Sequence, residues 1–288
     1  SHALFARWGR SLRGGDRYDR STMSICAIIN PRAGSVAHRV DAVCEEMRGG
    51  GCEVLTTRAR GDAQSIARAA IEQGAERIIA VGGDGTISEV INGIAPDFDR
   101  VTLAIIPGGT GNDLVRCLDL PAMDEGLLER AANSEGRAVD VVRVRQPEAH
   151  YFLNVASCGF GGDIADSVTS EAKERWGASA YWMAAASRII ELERHAIHLE
   201  IDDHEIDLHV FGVQIANGRF VGGGFPIAPL ALLDDGLLDL IIIPADSPAE
   251  LIARGFERII AWTQGDDGPL HSRGRRVRIT GGASGGAS

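Results

Sequence analysis

The sequence predicts an α/β plus β chain: a parallel sheet with flanking helices, then a mostly antiparallel β-sandwich with an inserted helical segment. Three observations carry this. Unbroken apolar runs at 24–30, 77–81 and 101–106 alternate with stretches whose apolar residues recur at helical spacing, as strands buried on both faces and their covering helices do. Two of the runs end in glycine-rich turns, Gly82-Gly-Asp-Gly-Thr86 and Gly108-Gly-Thr-Gly111. After about residue 137 the rhythm becomes period two, as in Ala138-Val-Asp-Val-Val-Arg-Val-Arg145, the alternation of strands with one buried face.

In order, Ser24-Ile-Cys-Ala-Ile-Ile-Asn30 is the first buried strand. Val36, Val40, Val43, Cys44 and Met47 follow at helical spacing, and Gly49-Gly-Gly51 stops that helix. A short strand is expected at Cys52–Thr56. Asp62 is placed to cap a second helix, with Ile66, Ala67, Ala70 and Ile71 inward and Gly74 at its end. Strand 77–81 runs through its glycine turn into a helix at 87–94. Strand 101–106 leads through the second glycine loop to a helix containing Leu114, Val115 and Leu118. This alternation makes a Rossmann-like parallel sheet with helices on both faces. Ligands of such sheets sit at the carboxyl ends of the strands, where loops 30–34, 82–86 and 107–113 all lie. The second half offers strand-like runs near 150–156, 196–201, 206–216 and 237–243, and one long helical stretch at 163–194. The expected domains are 23–137 and 138–288, packed face to face with a cleft between them.

Both ends look unnatural, the first as if added and the second as if the chain were cut short. Residues 1–22 hold five Arg and two Asp, and Met23 stands just before the first convincing strand, so 1–22 reads as a disordered tag or non-native extension. The end, Gly281-Gly-Ala-Ser-Gly-Gly-Ala-Ser288, reads as a flexible tail after a strand at 276–280. In between, 44% hydrophobic content and a mean hydropathy of -0.01 describe a soluble globular protein. No apolar run approaches the roughly 18 residues that span a bilayer. A net charge of -11 argues against nucleic acid, whose phosphates demand a basic face, and against a purely electrostatic hold on an anionic membrane. The five cysteines lack a Cys-x-x-Cys pair and read as buried, reduced thiols of a cytoplasmic protein.

The chemistry lies in four segments. At Gly82–Thr86 the glycines let backbone N–H groups crowd around an anion at a helix N-terminus, and phosphate is the natural occupant. No Gly-Lys-Ser/Thr follows, and Gly-x-Gly-x-x-Gly is absent. Instead Asp84 puts a carboxylate among the phosphates, which calls for a cation or water between them; alternatively Asp84 only caps the helix. Asn30-Pro-Arg-Ala-Gly34 either holds a phosphate, with Arg32 as neutralising charge, or is plain turn chemistry. In the second glycine loop, Thr110, Asn112 and Asp113 add a second carboxylate, or merely a cap. Finally, Ala216-Asn-Gly-Arg-Phe-Val-Gly-Gly-Gly-Phe-Pro-Ile-Ala-Pro229 is a long glycine-rich loop and Leu232-Leu-Asp-Asp-Gly-Leu-Leu-Asp239 an oxygen-rich turn. Phe220, Val221 and Phe225 can line an apolar groove, and the Asp-Gly turn suits Mg²⁺ or Ca²⁺ or serves simply as a hairpin.

Together these segments resemble the diacylglycerol kinase catalytic family, specifically the soluble bacterial lipid kinases, which are related to NAD kinases. The resemblance rests on Asn30-Pro-x-x-Gly34, Gly82-Gly-Asp-Gly-Thr86 with Glu89, Gly109-Thr-Gly-Asn-Asp-Leu114, and Asn217-Gly-Arg219 through Asp235-Gly-Leu237. It implies a nucleotide-binding α/β domain and ATP in the cleft between the domains. Asn30, Pro31, Arg32, Ala33, Gly34, Thr57, Gly82, Gly83, Asp84, Gly85, Thr86, Ile87, Ser88, Glu89 and Thr110 would contact the nucleotide. Asp84 and Asp113 would be catalytic, organising Mg²⁺, water and the reacting phosphoryl group. A separate structural Mg²⁺ would sit on Asp235 with the carbonyls of Leu232 and Leu237. The implied reaction is in-line γ-phosphoryl transfer to a lipid hydroxyl at a membrane surface, by a peripheral cytoplasmic protein, with room for a homodimer. One departure is plain. The family's Asp-Gly-Glu segment, whose Glu is the proposed general base, is absent after 276–280, so the chain is expected to bind nucleotide but transfer poorly, with an exposed sheet edge. An NAD-kinase-like enzyme and a non-catalytic nucleotide- or lipid-binding protein are the rival readings.

Overall fold

The computed structural model describes residues 2–8, 24–120, 126–145, 148–159, 194–245 and 271–281. They fall into two units, Arg10–Val139 and Ser1–Gly9 with Asp140–Ser288. Strand β1 (His2–Trp8) belongs to the second unit. The first is built on a four-stranded sheet of β2 (Ile25–Ile29), β3 (Glu53–Thr56), β4 (Arg77–Gly82) and β5 (Thr102–Pro107), in the order β3-β2-β4-β5. Every pairing is parallel. The apolar runs become the buried centre, and all six residues of β4 are buried.

Helices α1 (Val40–Gly49), α2 (Asp62–Glu72) and α3 (Asp84–Ile94) bury the predicted stripes: Val43, Cys44 and Met47 on α1, Ala67, Ala70 and Ile71 on α2. Val36 is fully buried but lies ahead of α1, in a run of turns. Asp62 does not cap α2. The cap is Gly61, at φ 88, and Asp62 Oδ2 instead accepts the N–H groups of Arg58 (2.8 Å) and Ala59 (3.1 Å). The first turn of α2 receives its side-chain acceptor from Glu89, whose Oε2 takes the Ala63 N–H at 3.2 Å.

Two shorter helices complete this unit, α4 (Asp113–Cys117) and α5 (Leu127–Asn133). Helix α5 lies beyond the elements expected from the sequence. It is held from below by Arg77, a buried cation in an otherwise apolar strand, which donates to the carbonyls of Ala131 (3.1 Å) and Ser134 (2.9 Å). Those are the carbonyls a helix leaves unpaired at its end, where its dipole favours positive charge.

The second unit is antiparallel. Its further strands are β6 (Val141–Val144), β7 (His150–Phe152), β8 (Val155–Gly159), β9 (His195–Ile201), β10 (His204–Ala216), β11 (Phe220–Val221), β12 (Phe225–Pro226), β13 (Leu238–Pro244), β14 (His271–Gly274) and β15 (Arg276–Gly281). Nine of the strands form one sheet in the order β14-β13-β10-β9-β15-β1-β6-β7, with β8 also paired to β10, while β11 and β12 pair separately. The long β10 pairs with β9 along its first half and with β8 along its second, while its pairing with β13 has a register shift between Val210 and Gly212. Such a bulge lets one strand bend and change partners. Ile197, Leu199, Ile201, Val213, Ile215, Leu238, Leu240 and Val277 fill the core.

Two expectations about the ends are corrected. Residues 2–8 are not a disordered extension; they form β1, antiparallel to both β15 and β6. For the same reason β15 is no exposed edge, since β9 and β1 flank it. The rest of the 1–22 segment, the helical stretch predicted at 163–194 up to residue 193, and the tail from 282 lie outside the described residues. Among the described residues no helix is long and apolar enough to cross a membrane. The five cysteines are free thiols, four of them buried. Burial, with Glu53 and Cys52 beside it, pushes the Cys26 thiol up to about 12, and burial likewise raises Cys52 and Cys158. These thiols stay protonated and poorly nucleophilic at neutral pH.

Candidate active site

Three loops meet at the carboxyl ends of β2, β4 and β5, and backbone contacts lock them together. Gly108 N–H donates to the Gly82 carbonyl (2.8 Å), and Ser35 N–H to the Gly108 carbonyl (3.0 Å). The two glycine turns then touch backbone to backbone. A Cβ on Gly109 would stand 2.6 Å from Gly83 Cα, and one on Gly108 2.5 Å from Val36 Cγ2. Glycine is required here by space.

Asn30 ties the first loop to the second. Its Oδ1 accepts the Arg32 N–H (3.0 Å) and its Nδ2 donates to Thr86 Oγ1 (3.0 Å). Thr86 is buried, and its side chain fills the space that a Cβ on Gly82 would need. Pro31 is half-buried, Ala33 is buried, and Arg32, Gly34 and Thr110 are exposed. A Cβ on Gly34 would meet Thr110 Cγ2 at 3.6 Å, so these two loops are neighbours. Thr57 extends the β3–β2 pairing by donating its N–H to the Ile29 carbonyl (2.9 Å), which puts it on the same edge. Ser88 is half-buried. Ile87 is buried, and its N–H goes to the Gly83 carbonyl (3.1 Å). Glu89 is half-buried, with its carboxylate on the Ala63 N–H of α2.

Asp84 opens α3 behind the extended Gly83. The amide groups of a helix's first turn have no intrahelical acceptor and carry the positive end of its dipole. Asp84 Oδ1 accepts the N–H of Leu114 (3.2 Å), in the first turn of α4. One carboxylate thus spans both glycine loops, across 30 residues of sequence. Asp113, buried, is the neighbouring residue on α4. Asn112 precedes it in left-handed backbone (φ 52, ψ 42) and makes no side-chain cap bond to α4. Its carboxamide faces Gly109 instead, accepting that residue's N–H (3.0 Å) and donating to its carbonyl (2.6 Å). Hard carboxylate oxygens suit Mg²⁺ and backbone amides suit phosphate, so these adjoining loops offer a donor set that could hold such a pair, although among the described residues no cluster of three or more His, Cys, Asp or Glu forms a metal site.

Residues 24–144 match the diacylglycerol kinase catalytic domain, and residues 154–285 match the YegS C-terminal NAD kinase beta sandwich-like domain. The diacylglycerol kinase of Bacillus subtilis is 31% identical over 261 residues, which are 88% of this chain and 84% of that protein. The chain belongs to the diacylglycerol kinase catalytic-domain family. A protein of Pseudomonas syringae named "Probable lipid kinase YegS-like" is 36% identical over 74% of this chain and 68% of its own length. A protein of the same name from Alcanivorax borkumensis is also 36% identical, and the matched stretch spans only 63% of it. A crystal structure of a diacylglycerol kinase from Bacillus anthracis superposes with a TM-score of 0.70 at 24% identity, covering 90% of this chain and 86% of that one. The shared fold is the parallel sheet with flanking helices followed by the antiparallel sheet.

In the second unit the motif residues have a different character. Asn217 is fully buried; its Nδ2 donates to the carbonyls of Asp140 (3.1 Å) and Leu153 (2.7 Å). This Asn-Gly-Arg stretch therefore holds loops together. Phe220 and Val221 are half-buried and Phe225 is buried. Asp235 Oδ1 accepts the Leu237 N–H (3.0 Å), and Oδ2 meets Arg273 at 2.5 Å. Arg273 also reaches the buried Asp239 (3.1 Å), which pairs in addition with His271 (2.7 Å). Reading motifs alone missed Arg273 and His271, although both stand in the strand just ahead of β15.

The Asp235 turn thus already has a counter-charge, and a Mg²⁺ ion there would share its carboxylate with a guanidinium. Arg273→Met is expected to lower stability by about 1–3 kcal/mol, discounted for the partial exposure of the pair. Thermal unfolding in chelator and in millimolar Mg²⁺ checks the ion's place. Recovery with Mg²⁺ in the variant supports a cation site on Asp235 with the carbonyls of Leu232 and Leu237; identical melting in both buffers counts against it.

Proposed function

We propose that this protein is an ATP-dependent lipid kinase, transferring the γ-phosphoryl group to the hydroxyl of a diacylglycerol-like acceptor. The observation that carries the reading is Asp84, a carboxylate held by the Leu114 amide where two glycine turns touch. An anion-binding turn that served phosphate alone would gain nothing from a negative charge at its centre. The names of the relatives, lipid kinase and diacylglycerol kinase, support the acceptor class.

In this reading the first-turn amides of α3 and the loop 30–34 bind the phosphates, with Thr57 and Thr110 at the borders of the nucleotide. Arg32, exposed on its loop, supplies positive charge to them. Asp84 and Asp113 hold the cation side of the donor set in a fixed position. Mg²⁺, when bound, would neutralise charge on the transferring phosphoryl group. The protein's part is positioning, which in phosphoryl transfer is most of the catalysis. The acceptor is reached at a membrane surface by peripheral contact from the cytoplasmic side.

Radiolabelled ATP with a panel of lipids in mixed micelles, and NAD as a soluble competitor acceptor, tests the proposal. Labelled diacylglycerol or a related lipid is the expected product. Label on NAD with none on any lipid would replace the reading with an NAD-kinase-like one. Binding of Mg·ATP with no transfer to either, in this chain and in one extended by the Asp-Gly-Glu segment, would leave a nucleotide-binding protein.

A further inference from the structure

Asn112 is tied to Asp84 by a short path. Its carboxamide makes two hydrogen bonds to one residue, Gly109, taking the N–H at Oδ1 (3.0 Å) and giving Nδ2 to the carbonyl (2.6 Å). Paired bonds to a single backbone residue fix the carboxamide and close the loop 109–112. One side of that loop, Gly109, lies against Gly83, the residue before Asp84. The other side runs through Asp113 into Leu114, whose N–H holds Asp84 Oδ1 at 3.2 Å. Capping does not account for the side chain, because it makes no cap bond to α4.

We propose that Asn112 is a positioning residue for Asp84, acting through the Leu114 amide: by clamping Gly109 it sets where α4 begins and so how the Asp84 carboxylate is held. Asparagine suits the task for two reasons. It tolerates left-handed backbone, and unlike Gly or ionised Asp it offers a donor and an acceptor on one planar group, close enough together to meet the N–H and carbonyl of a single residue. The consequence for catalysis rests on the phosphoryl-transfer reading above; the structural coupling does not.

The test is a double-mutant cycle of Asn112→Gly, which keeps the backbone conformation and deletes both bonds, with Asp84→Ala. Turnover at saturating lipid, KM for ATP, Mg·ATP affinity by titration calorimetry and the ¹H–¹⁵N resonance of Leu114 are measured in all four proteins. Asn112→Gly is expected to lower kcat by about 10-fold or more, as a small misplacement of a catalytic group does, with nucleotide affinity changed less than about threefold. In the Asp84→Ala background it should lower kcat no further, because the group it positions is gone. Asn112→Asp, which keeps the acceptor but sets a carboxylate against the Gly109 carbonyl, should share the defect. Multiplicative loss in the double variant, or an ATP affinity that falls as far as kcat, overturns the proposal. Should the wild-type protein phosphorylate no lipid, the functional reading falls, and the Leu114 resonance still decides the coupling. It shifts on Asn112→Gly if the clamp sets that amide, and stays in place if it does not.

Discussion

Asp84→Asn is expected to lower lipid phosphorylation by about 10²–10³-fold, the usual cost of removing one charge-organising group from a preorganised site, while the fold and nucleotide binding persist. The substitution is chosen because it separates two roles. The carboxamide oxygen of Asn can still accept the Leu114 N–H that Asp84 Oδ1 accepts at 3.2 Å, so the link between the glycine loops survives. Asp84 is the first residue of α3, behind the cap Gly83, so no side-chain cap bond is at stake. Only the charge is lost. The expectation that Asp84 merely caps the helix is corrected by Gly83 in the cap position; if Asp84 served only to tie the two glycine loops through the Leu114 amide, the variant would melt and turn over as the wild type does. Steady-state transfer from radiolabelled ATP, with ATP affinity measured separately, distinguishes the two; activity within about threefold of wild type would remove Asp84 from the mechanism. A reduced affinity for Mg²⁺ at constant ATP affinity would place the lost charge on the cation side of the donor set.

How much of this was legible beforehand depends on the range of the interaction. The parallel sheet was legible because Ile78, Ile79, Ala80 and Val81 are buried on both faces, so burial leaves an unbroken apolar run in the chain. The Gly82–Thr86 turn was legible for a local reason: its glycines, carboxylate and helix start are consecutive. The Asp84–Leu114 bond was not, since it joins residues 30 apart and an amide leaves no mark in the sequence. Glu89 shows the limit more sharply. Its place in the motif suggested a nucleotide contact; its carboxylate also meets the Ala63 amide of α2, a partner that only the packing of α2 on α3 creates. Arg77 did carry a signal: a cation opening a strand otherwise made of Ile, Ala and Val needs a partner when buried. Which partner it finds, the end of α5, is set by the tertiary fold. The β1 strand escaped although Ala3, Leu4, Phe5, Ala6 and Trp8 are apolar, because nothing near it in sequence pairs with it; its partners β15 and β6 lie more than 130 residues on.

Gly109→Ala and Gly85→Ala are expected to part company, and the contrast locates the ligand. At Gly109 the added methyl would stand 2.6 Å from Gly83 Cα and 3.0 Å from Asn112 Oδ1. The first neighbour is backbone, so relief requires the two glycine turns to separate, and the Leu114–Asp84 bond lies on that seam. Overpacking of this kind costs about 1–3 kcal/mol, and nucleotide binding should fall with stability because the cradle itself is pried open. At Gly85 a methyl meets nothing within 4 Å, and the position is inside α3, where Ala is favoured over Gly by about 1 kcal/mol. Gly85→Ala should therefore melt no lower than the wild type. If a phosphate rests on the first turn of α3, that methyl occupies its approach, and affinity for Mg·ATP should fall by about 10-fold or more without loss of fold. Thermal unfolding and calorimetric titration of both variants give the answer. Undiminished ATP affinity in Gly85→Ala would move the phosphates off α3 and toward loop 30–34, whereas loss in both variants, with stability lost only in Gly109→Ala, puts them where the dipole and the glycine turn converge.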